Sequence, residues 1–218
     1  MNKILDYLFP NHACFACGRE INVSETKNFC DECVATFKRN DGVKTGKTLN
    51  AGFAPFFYTY DNDGLGRIIM DLKYGGNSLA ARPLAKFMAD ALSPKITYDF
   101  MVPVPLSKNR AKQRGYNQSE LLAQGVHEIT QIPIRTDIIE RIRNTKPQKN
   151  MTHAMRRENQ KDAYKILDRP EIKDKTILIV DDVMTSGATA EEIARMLKLG
   201  KAKRVDAVAV AVVAPSPT

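Results

Sequence analysis

The chain has 218 residues, with 33 Lys plus Arg against 25 Asp plus Glu and a formal net charge of +8. Its 43% of hydrophobic residues suffices for a real core, and the length accommodates one large domain with or without a small module. No apolar run approaches the roughly 20 residues of a membrane helix, and Asp6 interrupts the short apolar run Met1–Pro10, which argues against membrane insertion and a signal peptide; the expectation is a cytoplasmic protein whose basic excess suits a polyanionic partner.

All four cysteines lie near the amino terminus, as Cys14, Cys17, Cys30 and Cys33. They form two C-x2-C knuckles separated by twelve residues. Each knuckle offers two thiolates, and four thiolates complete a tetrahedral zinc shell. Disulfides are the alternative, but paired knuckles in a reducing compartment favour metal. The expectation is a structural Zn2+ module over residues 1–40, folded largely by its metal because it is too small for its own core. Four thiolates leave His12 as a surface residue, and Ile4, Leu5, Leu8 and Phe9 suit a short helix packed on the module.

Lys38–Leu49 is polar and reads as a linker into a second unit, residues 50–218. Ala51–Tyr60 is aromatic and predicts a strand or hairpin, followed by a turn at Asp61–Gly64. Leu65, Ile68, Ile69 and Leu72 share a helical face, and Gly75-Gly76 ends that helix. Leu79–Leu92 predicts a second helix. Asp99–Val104 is a core strand stopped by Pro103 and Pro105. Ser107–Gly115 (SKNRAKQRG) reads as a basic loop, and Tyr116–Glu128 as a helix with Leu121, Leu122 and Val126 inward. Pro133–Ile142 suggests a strand, and Asn144–Asp162 a basic arm with a helical second half. Across Met101–Arg169 there are fourteen Lys or Arg and seven Asp or Glu, so +7 of the net charge lies there.

Thr176–Thr189, TILIVDDVMTSGAT, carries the chemistry. Thr176–Val180 suits a strand buried on both faces. The small polar turn Thr185-Ser186-Gly187-Ala188-Thr189 then opens a helix over Ala190–Leu199. Backbone N–H groups and the dipole at a helix N-terminus suit a phosphate, and Gly187 permits close approach. Asp181 and Asp182 repel phosphate but accept hydrogen bonds from vicinal hydroxyls. Together they ask for a ribose 5-phosphate. The basic residues Lys108, Arg110 and Arg114, with Val104 at the strand exit, would face that turn and grip a diphosphate. Arg204–Val213 closes the β–α–β order as a further strand, predicting an α/β fold with a parallel sheet flanked by helices.

VDDVMTSGAT resembles the phosphoribosyl-diphosphate (PRPP) signature of type I phosphoribosyltransferases. Together with the cysteine knuckles, Leu72-Lys73-Tyr74, Val102–Leu106, Arg114-Gly115-Tyr116-Asn117-Gln118, Thr145, Gln148, Arg156 and Asn159, it resembles the ComF family over nearly the whole chain. Ser186 and Met151 depart mildly, standing where Thr and Leu are frequent. The resemblance implies a phosphoribosyltransferase-like domain binding PRPP with Mg2+, a protein that handles single-stranded DNA during natural transformation, and a helicase-like competence protein as partner. DNA would lie on Lys73, Lys108, Arg110, Lys112, Arg114, Arg156 and Arg157, with Tyr74 or Tyr116 available for stacking. Two other functions fit the same residues: an active phosphoribosyltransferase acting on a nucleobase or related acceptor, and a PRPP-sensing regulator. A zinc module is superfluous in a salvage enzyme, which favours the DNA role.

Overall fold

Two long apolar strands organise the computed structural model, which describes residues 12–21, 28–40, 43, 45–58, 64–74, 76–143 and 153–213. In chain order the elements are β1 (His12–Ala13), β2 (Glu20–Ile21), α1 (Asp31–Thr36), β3 (Ala51–Phe53), β4 (Phe56–Tyr58), α2 (Gly64–Tyr74) and α3 (Ala81–Asp90). There follow β5 (Phe100–Pro103), α4 (Lys108–Arg114), α5 (Gln118–Thr130), β6 (Ile139–Arg141), α6 (His153–Gln160), β7 (Tyr164–Ile166), β8 (Thr176–Met184), α7 (Ala188–Leu199) and β9 (Arg204–Val213). The helix expected around Ile4–Phe9, the turn residues Asp61–Asp63, Gly75, and the start of the basic arm lie outside the described residues.

The main sheet is parallel, in the order β3-β9-β8-β5, with β4 pairing β9 farther along the same edge. Its centre is β8 beside β9, whose Val, Ile, Leu and Ala runs suit strands covered on both faces. The pleat sorts their side chains. Leu178, Val180, Val208 and Val210 pack under α2, α3 and α5, among Leu65, Ile69, Leu84, Met88, Leu122 and Val126. Ile177, Ile179, Val205, Ala207 and Ala209 face α7 and the β6–β7 pair, among Ile193, Leu197, Ile139 and Tyr164. The result is the helix–sheet–helix layering expected of an α/β chain.

Four elements differ from the sequence expectation. Of the strand or hairpin expected over Ala51–Tyr60, the described part is strand, divided at Ala54-Pro55 into two pieces that both run parallel to β9. Pro133–Ile142 makes only an isolated bridge, Ile134 to Met101, before Ile139–Arg141 pairs antiparallel with β7. The Leu79–Leu92 helix starts with a 3-10 turn at Ser78–Ala80 and runs as α from Ala81 to Asp90. Finally, the basic stretch expected as a loop is the helix α4. Ser107 occupies its N-cap position in extended backbone, Gly115 closes it at φ 77°, and Lys, Arg, Ala and Gln between them are strong helix formers.

The cysteine segment shares its core with the larger unit. Cys14, Ala16, Phe29, Cys30 and Phe37 belong to the same buried cluster as Phe56, Leu65 and Met88. A run of edge-on rings connects them: Phe29–Phe37 at 5.8 Å, Phe37–Phe56 at 5.4 Å and Phe56–Phe87 at 5.1 Å between centroids. Arg39 caps the run, its guanidinium 5.0 Å from the Phe56 centroid.

Candidate phosphosugar corner and cysteine cluster

The corner where β8 meets α7 is built by continuing the strand through the acidic pair. β8 reaches Met184, paired to Val212 of β9, so Asp181 and Asp182 lie within the strand and not beyond it. The chain then turns through Thr185 and Ser186 to Gly187, which sits at φ 70° at the N-cap of α7. A side chain other than Gly would be strained there. The Ala188 N–H points to Ser186 Oγ at 3.4 Å, and Thr189 stands in the first turn of the helix. The turn expected between strand and helix is thus present, at the carboxyl edge of the sheet.

The two carboxylates play different parts. Asp182 is 5% exposed and fully engaged. Its Oδ1 lies 3.3 Å from Lys73 Nζ and accepts from the Val183 N–H at 2.6 Å, while Oδ2 accepts from Gln118 Nε2 at 3.0 Å. It therefore ties β8 to the ends of α2 and α5. Asp181 Oδ1 accepts from Ser119 Oγ at 3.3 Å and from the Asp182 N–H at 2.9 Å. Burial, and then the charge of Asp182, push the Asp181 carboxyl well above the usual carboxylate range, to about 7.

The segment Arg114–Ser119 frames this pair residue by residue. Arg114 lays its guanidinium 4.7 Å from the centre of the Tyr74 ring. Gly115 makes the left-handed turn. Tyr116 donates its hydroxyl to the Leu72 carbonyl at 2.7 Å. Asn117 caps α5 through the Ser119 N–H and donates to the Val104 carbonyl at 3.1 Å. Gln118 and Ser119 then hold one aspartate each. Val104 itself is buried, with its N–H bonded to Val180.

Opposite α5, the short β6–β7 pair supplies Arg141 and Tyr164. Both are buried, with Arg141 Nη1 donating to the Tyr164 hydroxyl at 3.3 Å. Burial pushes the Tyr164 hydroxyl up to about 12; it also meets Thr189 and feels Asp181, Arg110 and Arg141. Tyr164 thus lies within electrostatic or hydrogen-bonding reach of Arg110, Arg141, Thr189 and Asp181. Of the other cations expected at a DNA surface, Lys73 is committed to Asp182, Lys112 is exposed on α4, and Arg114 is stacked on Tyr74. The side chains of Lys108, Arg156 and Arg157 lie outside the described part. Sequence reasoning misses Arg141, Tyr164, Gln118 and Ser119 as site residues. Gln118 stands in a recognisable segment without a role, and a lone arginine in a short strand carries no local signal.

At the other end of the same core, the sulfur atoms of Cys14, Cys17, Cys30 and Cys33 all lie within 4.8 Å of one another. Four sulfurs about 2.3 Å from a common ion lie roughly 3.8 Å apart in a tetrahedron, and Cys17 Sγ is 3.9 Å from Cys30 Sγ. The four form no disulfide. Cys14 Sγ accepts from the Cys30 N–H at 3.3 Å, and Arg19, ion-paired with Glu32, reaches Cys30 Sγ at 3.4 Å. That Arg19 contact draws the Cys30 thiol down to about 6, while burial and the neighbouring thiols push the Cys33 thiol up. The cluster fits a tetrahedral metal ion such as Zn2+.

Residues 80–216 match the family model of the phosphoribosyl transferase domain. Competence protein F of Haemophilus influenzae is 37% identical over 102 residues, covering 46% of this chain and 44% of that protein. DNA utilization protein YhgH of Escherichia coli is 33% identical over 139 residues, covering 61% and 60%. Competence protein ComFC of Bacillus subtilis is 25% identical over 199 residues, covering 89% and 75%. The chain thus spans about half the length of the first two relatives. Together with the parallel sheet and the β8–turn–α7 corner, the match over residues 80–216 means that the chain belongs to the phosphoribosyl transferase family. Within that class it is a ComF-family protein, grouped with the three relatives above.

Proposed function

We propose that this protein binds PRPP with Mg2+ at the carboxyl edge of its sheet and handles single-stranded DNA during DNA uptake, with Zn2+ in its cysteine cluster. The observation that carries the reading is the β8–α7 corner. Gly187 at φ 70° opens a helix of twelve residues beside Asp181. In this reading the turn Thr185–Thr189 takes the 5-phosphate and Asp181 takes the ribose hydroxyls. Asp182 acts by fixing its neighbour and the ends of α2 and α5. In the same reading Arg110 and Arg141 neutralise the diphosphate, which a bound Mg2+ would also do.

The names of the relatives, two competence proteins and a DNA utilization protein, favour DNA as the macromolecular partner. The cationic helix α4, with four Lys or Arg in seven residues and no acid, suits phosphates. A helicase-like competence protein is the partner such a role calls for.

Calorimetry tests the ligand. PRPP should bind in the presence of Mg2+, and Asp181→Ala should abolish binding without lowering the melting temperature; undiminished binding by that variant overturns the assignment. Asp182→Ala is the poorer probe, because it strands Lys73 and Gln118 without their acceptor. Fluorescence anisotropy with a labelled oligothymidine tests the DNA role. Affinity should fall steeply with salt, and Arg110→Gln with Lys112→Gln should flatten the slope by roughly one for each phosphate that is no longer neutralised.

A further inference from the structure

The solvent face of α2 carries Arg67, Met70 and Tyr74, spaced i, i+3 and i+7 along one side of the helix. All three are exposed, Tyr74 by 62% and Met70 by 44%. Tyr74 is a large aromatic ring at a helix end, yet it is not loose. Arg114 covers one of its faces at 4.7 Å, and the Arg114 Nε is buried without a hydrogen-bond partner. The molecule thus leaves a polar atom unsatisfied in the arrangement that braces this ring. Tyr116 strengthens the brace by tying the loop after α4 to the Leu72 carbonyl. Tyr116 is thereby occupied, and of the two tyrosines it is Tyr74 that offers an open face. Asp71 is the one carboxylate in Gly64–Tyr74, so the stripe is cationic at Arg67, apolar at Met70 and aromatic at Tyr74, with α4 continuing the positive charge.

We propose that Tyr74 is a stacking platform for an unpaired nucleobase, with Arg114 bracing the rear of the ring and Met70 flanking the base. This rests on the single-stranded DNA reading and deepens it. A strand held by phosphates alone carries no information about whether its bases are paired. A ring that needs an open base face selects single strands over duplex, because duplex bases already stack on one another. The arrangement also places the base beside Lys73, the preceding residue of α2 and the partner of Asp182. A strand seated on Tyr74 therefore lies at the rim of the phosphosugar corner.

The test uses the full chain and oligodeoxynucleotides carrying 2-aminopurine, whose fluorescence is quenched on stacking. The parent should quench the probe on binding. Tyr74→Phe should keep the quench, and Tyr74→Ala should lose it and bind single strands about tenfold more weakly, in line with the loss of one stacked base. The salt slope should stay unchanged, since no charge is removed. Duplex affinity should not change between the parent and Tyr74→Ala, and an abasic strand should bind both equally. If the parent binds single strands with a steep salt dependence while Tyr74→Ala quenches and binds as the parent does, the platform is refuted and the phosphate-contact reading survives. If the parent binds no single strand at any salt, both fall.

Discussion

Asp181 and Asp182 are chemically identical and adjacent, yet their surroundings separate them. Lys73 and Gln118 keep Asp182 partnered, so its role is to hold helices in place. Asp181 bears the cost of a second negative charge beside it and is raised to about 7, by burial first and by Asp182 second. A carboxyl raised on folding contributes stability that is complete below its unfolded value, near 3.9, and is lost as pH rises through the folded value. The parent should therefore lose stability between about pH 4 and pH 7 on account of this group. Asp181→Asn should flatten that decline and melt higher than the parent at pH 8, by about 2–4 °C for each kcal/mol relieved. Thermal melts from pH 4 to pH 8 check it, and parallel curves for the two proteins would show that Asp181 ionises normally.

Among the elements, α3 and α5 pack directly on each other, and Gly125 is what lets them meet. A Cβ there would stand 2.6 Å from Ala85 Cβ and 3.4 Å from the Arg82 backbone. Both neighbours are short or rigid, so the helices must separate. Gly125→Ala should cost about 1–3 kcal/mol despite the higher helix propensity of Ala, read as a melting temperature lower by several degrees. An unchanged or raised value would mean that α3 yields freely. Because α5 starts with Gln118 and Ser119, the same displacement should weaken PRPP binding. The helix α4 divides its cations: Arg110 falls within the field of Arg141 and Tyr164, whereas Arg114 turns to Tyr74. A loop of the same composition would hold neither orientation.

At the scale of the whole molecule, the cysteine cluster and the sheet share one hydrophobic interior. The rings of Phe29, Phe37, Phe56 and Phe87 pass from one to the other without a polar gap. Metal analysis of protein purified without added zinc should give about one ion per chain. Removing it with a chelator should lower the melting temperature of the entire chain in one transition, because the module's loss uncovers Phe37 and Phe56. Two separate transitions, with the upper one unmoved, would show the module to be energetically independent. Glu191 adds a second tie, accepting from the Gly46 N–H at 2.6 Å and the Thr48 N–H at 3.0 Å, and so clasping the segment between the two units onto α7.

The features legible in the sequence are those that depend on neighbours along the chain. The apolar runs at Thr176–Val180 and Arg204–Val213 identify buried parallel strands, since only a strand covered on both faces tolerates such continuity. Gly187 marks the turn, because its left-handed backbone conformation favours glycine over residues with a side chain. The cysteine spacing specifies four converging sulfurs. Local charge alone is a poor guide: Lys108–Arg114 reads equally well as solvated loop or short helix, and Ser107 with Gly115 decides it. What only the tertiary structure decided is the division of labour within the site. Asp182 meets Gln118 from 64 positions away and Lys73 from farther still, and Asp181 meets Ser119 from 62 positions away. Such contacts arise from how the sheet is threaded, and no local propensity encodes them. The same holds for Arg141 and Tyr164, which reach the corner because a two-stranded pair folds back over β8, and for Tyr74, whose exposed ring is a candidate platform only because Arg114 lies against it.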